Sequence, residues 1–456
     1  MSAKNFDLGK DNVGKLLVKL AVPAIVAQLV NVLYNIIDRM FIGRMASGDL
    51  AMAGVGVAFP IIILVAAFSA LIGFGGAPLV AIKMGEKDND GAEKLLSNSF
   101  SVLIILSVIL TVGFLMFKIP ILKAFGASEN IIGYANDYIT IYLLGTIFVL
   151  IAVGMNPFIN TQGFAKIGMY TVLIGAIINI VLDPILIFGF NMGVKGAALA
   201  TVISQGVSAA WVLFFLFGKK SILKIRKKYM IPDLKLVGKI TALGISPFIM
   251  QATESLVLIS LNTQLMKFGG DLAVSAMTIM SSIMQIITLP IMGLCQGGQP
   301  IVSYNFGAKN LDRVKKAFKL VLISSVAFTT VICGALMIKP DMFVRIFNND
   351  PVLMEITCWS IRIYFAGIFI FGAQMACQQT FLALGQAKIS LVLALLRKVI
   401  LLVPLIFIIP NFMDDKLKGV LLAEPIADVL AATTTIIVFT FFYKKTLNTI
   451  DGKVSE

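Results

Sequence analysis

Long apolar stretches alternate with short polar segments along the whole 456-residue chain. The apolar stretches have the length of about 20 residues that a helix needs to cross the hydrocarbon core of a bilayer. The pattern therefore predicts an all-α polytopic membrane protein with twelve transmembrane helices. The first six spans are predicted near residues 15–43, 52–82, 95–117, 134–158, 165–190 and 194–217. The second six are predicted near residues 237–266, 272–304, 314–338, 353–382, 387–410 and 419–443.

The longest polar stretch, residues 218–236, separates the two sets of spans and is strongly basic. We expect it to be a cytoplasmic linker lying on an anionic membrane surface. Residues 1–217 then form an N-terminal bundle, and residues 237–456 form a C-terminal bundle.

Short sequence matches recur between the two halves at one offset. The tetrapeptide GDLA occurs at 48–51 and again at 270–273, an offset of 222 residues. At the same offset, GGAP at 75–78 matches GGQP at 297–300. Several matches at one offset indicate an internal duplication. Each half holds an even number of spans, so both enter the membrane in the same direction. We therefore expect two six-helix bundles related by a pseudo-twofold axis along the membrane normal.

Charge limits the possible partners. The net charge of +14 is compatible with nucleic acid, but Lys and Arg cluster in the loops between spans. With the N-terminus placed in the cytoplasm, 25 of them fall inside and eight outside. This asymmetry satisfies the positive-inside rule and predicts that both termini are cytoplasmic. We expect a lipid bilayer around the protein and no nucleic-acid partner.

The residue types argue against enzymatic chemistry. The chain has no histidine, which removes His-based catalysis and the common His metal sites. Its four cysteines lie in apolar segments without metal-ligand spacing. We expect no enzymatic activity and no cofactor, and any proton relay must use carboxylates.

Carboxylates inside apolar spans are costly and are therefore candidate functional residues. Asn179 and Asp183 lie four residues apart and share one helix face. Pro184 follows, and because proline has no backbone N–H, it leaves helix carbonyl groups nearby without their regular hydrogen bond. In the C-terminal half, buried basic and acidic residues should pair into an ion network that holds the bundle together, with a coupling role as the alternative. These residues are Arg397, Lys398, Glu424 and Asp428.

Pro23 and Asp38 in span 1, LDPILIFG at 182–189, VKGAALAT at 194–201 and PIVSYNFGAKN at 300–310 carry a family resemblance. They resemble the multidrug and toxic compound extrusion (MATE) family, and specifically its DinF/MepA-like bacterial branch. The resemblance implies two six-helix bundles around a V-shaped cleft. It also implies a monomer in the bacterial inner membrane that exports small-molecule drugs, often cationic, in exchange for H⁺ or Na⁺.

The resemblance also assigns roles by position. The cation-binding positions are Asp38, Asn179, Asp183 and Thr201, with the Ala197 carbonyl as a further ligand. The drug-cavity positions are Asn31, Tyr34 and Asn156. Oxygen ligands of this kind suit Na⁺. Two neighbouring carboxylates in a low dielectric repel each other, however, so one should hold a proton. The sequence therefore leaves both coupling ions open.

Two structural alternatives apply to the carboxylates. Asp38 could instead pair with Arg39 or Arg44, and Asp183 could serve only as a helix-end hydrogen-bonding group.

Gln251 and Glu254 are spaced i, i+3 in span 7. Either they attract a cationic drug or a second proton, or they fix helix packing by a hydrogen bond. Glu254 matches a span 7 glutamate of the NorM-like branch. The segment at 372–381 lacks the acid that this branch carries in span 10.

Three functions follow from these observations. The first is a cation-coupled multidrug antiporter that works by alternating access. The second is a flippase for a lipid-linked saccharide, which would need basic residues in the cleft to bind pyrophosphate, and few lie inside the first six spans. The third is a membrane receptor or scaffold without transport, against which the buried acids and the duplication argue.

Overall fold

The computed structural model describes residues 7–45, 48–347 and 350–454, with side chains described up to residue 445. Within these residues the chain is helical with short connections, and no strand occurs. Lys4 and the side chain of Lys453, which contribute to the charge asymmetry above, lie outside the described residues.

Seven helices form the six spans of the N-terminal bundle. They are α1 (Val13–Gly43), α2 (Gly48–Gly85), α3 (Asn89–Ala124), α4 (Ile132–Leu144), α5 (Thr146–Thr161), α6 (Ala165–Pro184) and α7 (Val194–Phe217). α4 and α5 make one span that is bent by 59°. α6 continues into a π-helical turn, Ile185–Gly189, directly after its terminal proline. A proline cannot donate the regular helix hydrogen bond, and π-helical turns are frequent at functional sites.

The C-terminal bundle is built in the same way. Its helices are α8 (Leu234–Gly307), α9 (Leu311–Ile338), α10 (Pro340–Val344), α11 (Pro351–Tyr364), α12 (Ile368–Ala383), α13 (Ala387–Leu395), α14 (Val403–Ile408) and α15 (Lys416–Val454). α8 contains two spans, because Gly270 has a φ of 64° that interrupts the helix. α11 and α12 form one span bent by 50°. The π-helix Leu396–Leu402 joins α13 to α14.

The predicted number of spans is confirmed. Nine described helices are long and apolar enough to cross a membrane, and the two bent pairs add two further spans. Dividing α8 at Gly270 brings the total to the twelve expected. The helices extend a few residues beyond most of the predicted ends.

Close contacts between the two bundles follow the sequence repeat. Gly85 in α2 packs on the backbone of Tyr304, and Gly307 in α8 packs on the backbone of Ile82. A Cβ atom added to either glycine would lie 2.0 Å from a carbonyl oxygen. The two contacts are equivalent under the offset of 222 residues, because Gly85 corresponds to Gly307 and Ile82 corresponds to Tyr304. Such a self-complementary contact is what a pseudo-twofold axis between two similar bundles produces.

The bundles are joined at the end of the molecule that carries the linker, which we call the linker face. Near this end Gly244 packs on the backbone of Leu71, and Gly297 packs on the backbone of Ala21. The first turns of α1 also enter the apolar core of the C-terminal bundle, where Leu20 is buried. The structure is therefore closed between the bundles at the linker face.

The linker is fastened to the N-terminal bundle. Its Leu223 side chain is fully buried. The Gln162 side-chain oxygen accepts hydrogen bonds from the Ser221 hydroxyl and the Leu223 N–H, both at 2.9 Å. The Glu93 carboxylate accepts a hydrogen bond from the Arg226 guanidinium at 2.8 Å. These contacts predict that the linker moves together with the N-terminal bundle.

The linker ends at Asp233, which caps the start of α8. The Asp233 carboxylate pairs with Lys94 at 3.2 Å and accepts a hydrogen bond from the Lys235 N–H at 3.0 Å. The hydrogen bond from the Lys94 side chain holds the pKa of Asp233 below its usual value, and the hydrogen bond from the backbone N–H of Lys235 adds a smaller effect in the same direction. Because the pKa of Asp233 is lower in the folded than in the unfolded protein, the ionised cap stabilises the fold at pH values above the pKa of the unfolded state. This contribution is lost as the pH falls through the pKa of the folded state. The start of α8 is therefore fixed to α3 at neutral pH.

Replacing Gln162 with alanine should loosen the linker. The change leaves the buried Leu223 N–H without its acceptor, at a cost of about 1–3 kcal/mol, whereas the Ser221 hydroxyl keeps the Leu223 carbonyl at 2.6 Å. We expect trypsin to cleave the linker at least about fivefold faster, because the opened form is more populated. Gln386→Ala is the control, since among the described residues the Gln386 side chain makes a single 3.4 Å hydrogen bond, to the nearby Leu384 carbonyl. An unchanged cleavage rate in Gln162→Ala would contradict this account of the linker.

Candidate cation and substrate site

Polar side chains from α1, α6 and α7 meet inside the N-terminal bundle. Asp38 lies near the end of α1, and Asp183 is the penultimate residue of α6. Asp38, Asn179 and Asp183 are only 9%, 2% and 0% exposed. Gly193, with a φ of 56°, allows the turn that folds α7 back on α6 and brings Thr201 to the same place.

Asn179 connects the members of this cluster. Its side-chain nitrogen donates to Asp183 Oδ1 at 3.3 Å and lies 3.5 Å from Thr201 Oγ1. The Thr201 hydroxyl donates to the Ala197 carbonyl at 3.1 Å. The Asp38 carboxyl group is a close neighbour of that of Asp183. All five residues named by the resemblance therefore lie together, and we call them the carboxylate cluster.

Three oxygens of the carboxylate cluster have no hydrogen-bond partner among the described residues. They are Asp38 Oδ1, Asp183 Oδ2 and Asn179 Oδ1, and all three are buried. Buried polar atoms in proteins nearly always have a partner. A group of buried acceptors without donors is chemically suited to a proton or a small cation.

Neither structural alternative accounts for the cluster. Among the described residues no salt bridge joins Asp38 to Arg39 or Arg44 within 4.0 Å, and the Arg39 guanidinium lies over the Phe59 ring at 4.7 Å. Asp183 accepts its hydrogen bond from the Asn179 side chain and from no backbone N–H in this part of the chain.

The described chain holds no group of three or more His, Cys, Asp or Glu residues placed to bind a metal ion.

Tyr138 in α4 lies beside the carboxylate cluster, although the sequence reasoning did not select it. It is buried, and Thr201 and Asp38 are among its neighbours. Its ring stacks on Tyr142 with the centroids 6.4 Å apart. The sequence feature that could have identified Tyr138 is the pair of tyrosines spaced i, i+4 in an apolar span.

A cavity of about 160 Å³ adjoins the carboxylate cluster. The three predicted drug-cavity residues, Asn31, Tyr34 and Asn156, all line it together with Asn179 and Thr201. Further amide side chains that the sequence reasoning did not identify add to the polar lining. They are Gln28, Asn160, Gln205, Gln296 and Gln299. The last two come from α8, and Gln28 contacts Gln296 at 3.3 Å, so the cavity lies between the two bundles.

A buried ion network lies inside the C-terminal bundle. Arg397, in the π-helix, pairs with Asp428 at 2.7 Å and with Glu424 at 3.3 Å. Its guanidinium also lies over the Phe371 ring at 4.8 Å. All three ionic side chains are nearly inaccessible to solvent. The network ties the π-helix to α15 and α12.

Glu254 belongs to the same region of the C-terminal bundle. Its carboxylate pairs with Lys398, whose amino group also donates to the Met250 carbonyl at 3.3 Å. The structure thus places Glu254 opposite a lysine and outside the lining of the amide-rich cavity. Gln251 also lies outside that lining, and its side chain has no hydrogen-bond partner among the described residues.

Removing Arg397 should destabilise the protein strongly. Arg397→Ala leaves the buried Asp428 and Glu424 carboxylates without their cation, at an expected cost of about 3–5 kcal/mol. Thermal unfolding in detergent measures the loss. Arg345→Ala is the matched control, because its pair with Asp341 is exposed and should contribute less than about 1 kcal/mol. Equal effects of the two substitutions would show that the buried network does not stabilise the bundle.

A duplicated twelve-helix fold of two bundles, with a polar cavity and buried carboxylates between its helices, defines a multi-pass membrane transporter. The family model described as MatE matches residues 23–185 and again residues 247–408. The chain belongs to this family, the MATE transporters, which is a family of transporters and not of enzymes.

Individual relatives agree with this assignment. The multidrug export protein MepA of Staphylococcus haemolyticus is 26% identical over 427 residues, covering 94% of this chain and 93% of the relative. MepA of Staphylococcus aureus (strain NCTC 8325 / PS 47) is also 26% identical, covering 94% of each chain. The chain is therefore MepA-like.

Solved structures agree in fold. The crystal structure of MATE in the bent conformation superposes with a TM-score of 0.91 at 22% identity, over 100% of both chains. The outward-facing conformation of a multidrug resistance MATE family transporter gives a TM-score of 0.89 at 23% identity, over 99% of both chains. These likenesses confirm the two-bundle fold.

Proposed function

We propose that the protein is a secondary active antiporter that exports organic compounds, often cationic, in exchange for H⁺ or Na⁺. One observation carries the proposal: Asn179 and Thr201 belong both to the carboxylate cluster and to the cavity lining. An ion bound by Asp38 and Asp183 and a substrate bound in the cavity would therefore act on the same side chains. Two ligands that alter the same residues change each other's affinity, which is the requirement for coupled exchange.

The cavity is smaller than the roughly 300 Å³ of pockets that enclose a drug-sized molecule. Only part of a substrate would therefore fit into the cavity, and the rest would extend into the space between the bundles. The tyrosine and the amides offer hydrogen bonds and contact surface without formal charge. Such a lining favours substrates of varied shape. It agrees with the relatives, which are multidrug export proteins.

We place the protein in the bacterial inner membrane with the linker face and both termini in the cytoplasm. In this orientation the structure is the state that is closed to the cytoplasm. Residues 1–217, with the linker attached, and residues 237–456 act as the two moving units of alternating access. The change of angle between them is expected at the beginning of α8 and across the glycine contacts of the linker face.

The lining of the cavity also separates this proposal from a saccharide-lipid flippase. None of the described residues that line the cavity is Lys or Arg. A site for a pyrophosphate-linked lipid would need such cations to compensate the phosphate charge.

The test is ethidium efflux from proteoliposomes under separately imposed Na⁺ and H⁺ gradients. Efflux driven by one gradient supports the proposal and identifies the coupling ion. Well-folded protein that moves no ethidium under either gradient would contradict it and redirect attention to lipid-linked substrates.

A further inference from the structure

A groove runs along the outer surface of the C-terminal bundle between α9, α12 and α15. Its volume is about 650 Å³, and apolar side chains line most of it, including Leu322, Val326, Ala373 and Ile436. Ile323 and Ala327 of the groove are exposed on a membrane-spanning helix, so the groove opens toward lipid.

The inner wall of the groove is aromatic and tightly packed. The rings of Phe318 and Phe439 stack with their centroids 4.6 Å apart, and Tyr443 packs on Phe318 at 5.6 Å. Phe439 in turn packs edge-to-face on the buried Phe381 at 5.1 Å. A wall braced in this way keeps its concave shape and offers more contact to a hydrocarbon chain than a single helix surface.

One end of the groove is basic. Lys444 in α15 lines it directly. In α9, Lys315 and Lys319 lie on the same helix face as Leu322 and Val326, because the four are spaced i, i+4, i+7 and i+11. α9 begins and α15 ends at the linker face, so the lysines lie at the membrane surface on that side.

Among the side chains that the structure describes at this end, the balance of charge is positive. Asp312 is the single acidic residue of α9, against Lys315, Lys316 and Lys319 in the same turns. Among the described residues no carboxylate lies within 4.0 Å of Lys319 or Lys444, and both side chains are exposed. An apolar groove that ends in a cluster of lysines matches a molecule with a hydrocarbon chain and an anionic head.

We propose that this groove binds an anionic phospholipid from the leaflet at the linker face. One acyl chain lies along the aromatic wall, and the phosphate lies between Lys319 and Lys444. Basic side chains at a membrane surface attract anionic headgroups. A zwitterionic phospholipid offers the same chains without net charge, so it binds more weakly.

The test is native mass spectrometry of the full-length protein in detergent, titrated with dioleoyl phosphatidylglycerol or with dioleoyl phosphatidylcholine. The double variant Lys319→Ala/Lys444→Ala should bind phosphatidylglycerol about thirtyfold more weakly, since each basic residue near an anionic lipid surface contributes about fivefold. Its binding of phosphatidylcholine should not change. Lys219→Ala/Lys220→Ala is the matched control, because it removes two exposed lysines at the linker face, away from the groove.

Ala327→Trp tests the chain-binding part of the groove. Ala327 lines the groove and is exposed to lipid, so a larger side chain fills the groove without entering the protein core. Both lipids should then bind more weakly, with thermal unfolding unchanged. Equal binding of the two lipids to the wild type would overturn the proposal. So would wild-type affinity for phosphatidylglycerol in the lysine double variant, or displacement of the lipid by glycerol 1-phosphate alone.

Discussion

Asp183→Asn is expected to remove gradient-driven ethidium efflux while the protein still folds. Asparagine has nearly the same shape and keeps an oxygen to accept the Asn179 hydrogen bond at this fully buried position. It cannot ionise, so the carboxylate cluster loses one of its two exchangeable charges. Coupling free energies between linked sites are about 1–3 kcal/mol, which corresponds to a loss of up to about 150-fold. Efflux from proteoliposomes under an imposed gradient measures the loss, and ethidium binding to the purified variant reports on the cavity.

Asp137→Asn is the matched control. Asp137 is an aspartate of the same bundle, but it is partly exposed and pairs with Lys195 at 3.5 Å. The same chemical change there should leave efflux within about twofold of the wild type, because an exposed ion pair contributes little. Full gradient-driven efflux by Asp183→Asn would remove the carboxylate cluster from the mechanism. A loss of similar size in both variants would point to folding instead of coupling.

Gly244→Ala should prevent the two bundles from closing at the linker face. The added methyl group would lie 1.7 Å from the Leu71 carbonyl oxygen, and a backbone atom cannot rotate away as a side chain can. Overpacking typically costs about 1–3 kcal/mol, which changes the ratio of closed to open states about 5- to 150-fold. We expect efflux to fall at least about tenfold, because alternating access needs both states to be populated.

The change of state is measurable as a distance. Spin labels at Glu86 and Ala308, two exposed positions beside the Gly85 and Gly307 contacts, report separation at the linker face by double electron–electron resonance. Gly244→Ala should shift this distance to longer values. Gly238→Ala is the control on the same helix, where an added methyl group meets no atom within 4 Å. An unchanged distance together with full efflux in Gly244→Ala would show that this contact is not needed for closure.

The membrane class, the number of spans and the duplication could all be predicted from the amino-acid sequence. Apolar segments of this length have one stable arrangement in a bilayer, because a helix satisfies all of its backbone hydrogen bonds internally. The offset of 222 residues predicted two equivalent bundles, and the paired contacts of Gly85 and Gly307 follow the same offset. Helical spacing also placed Asn179 and Asp183 on one face, and the family resemblance added Asp38 and Thr201 to them.

Contacts between side chains of different helices could not be predicted from the sequence and became visible in the folded structure. Tyr138 joins Thr201 and Asp38 from a separate helix, and no spacing along the chain encodes that contact. Glu254 forms an ion pair with Lys398, which lies 144 residues away in the sequence. The basic linker, which the sequence predicts to lie on the membrane, is held by buried hydrogen bonds to the N-terminal bundle. Periodicity shows which face of a helix is polar, but partners across helices depend on close packing and interhelical hydrogen bonds, which form only when the helices assemble.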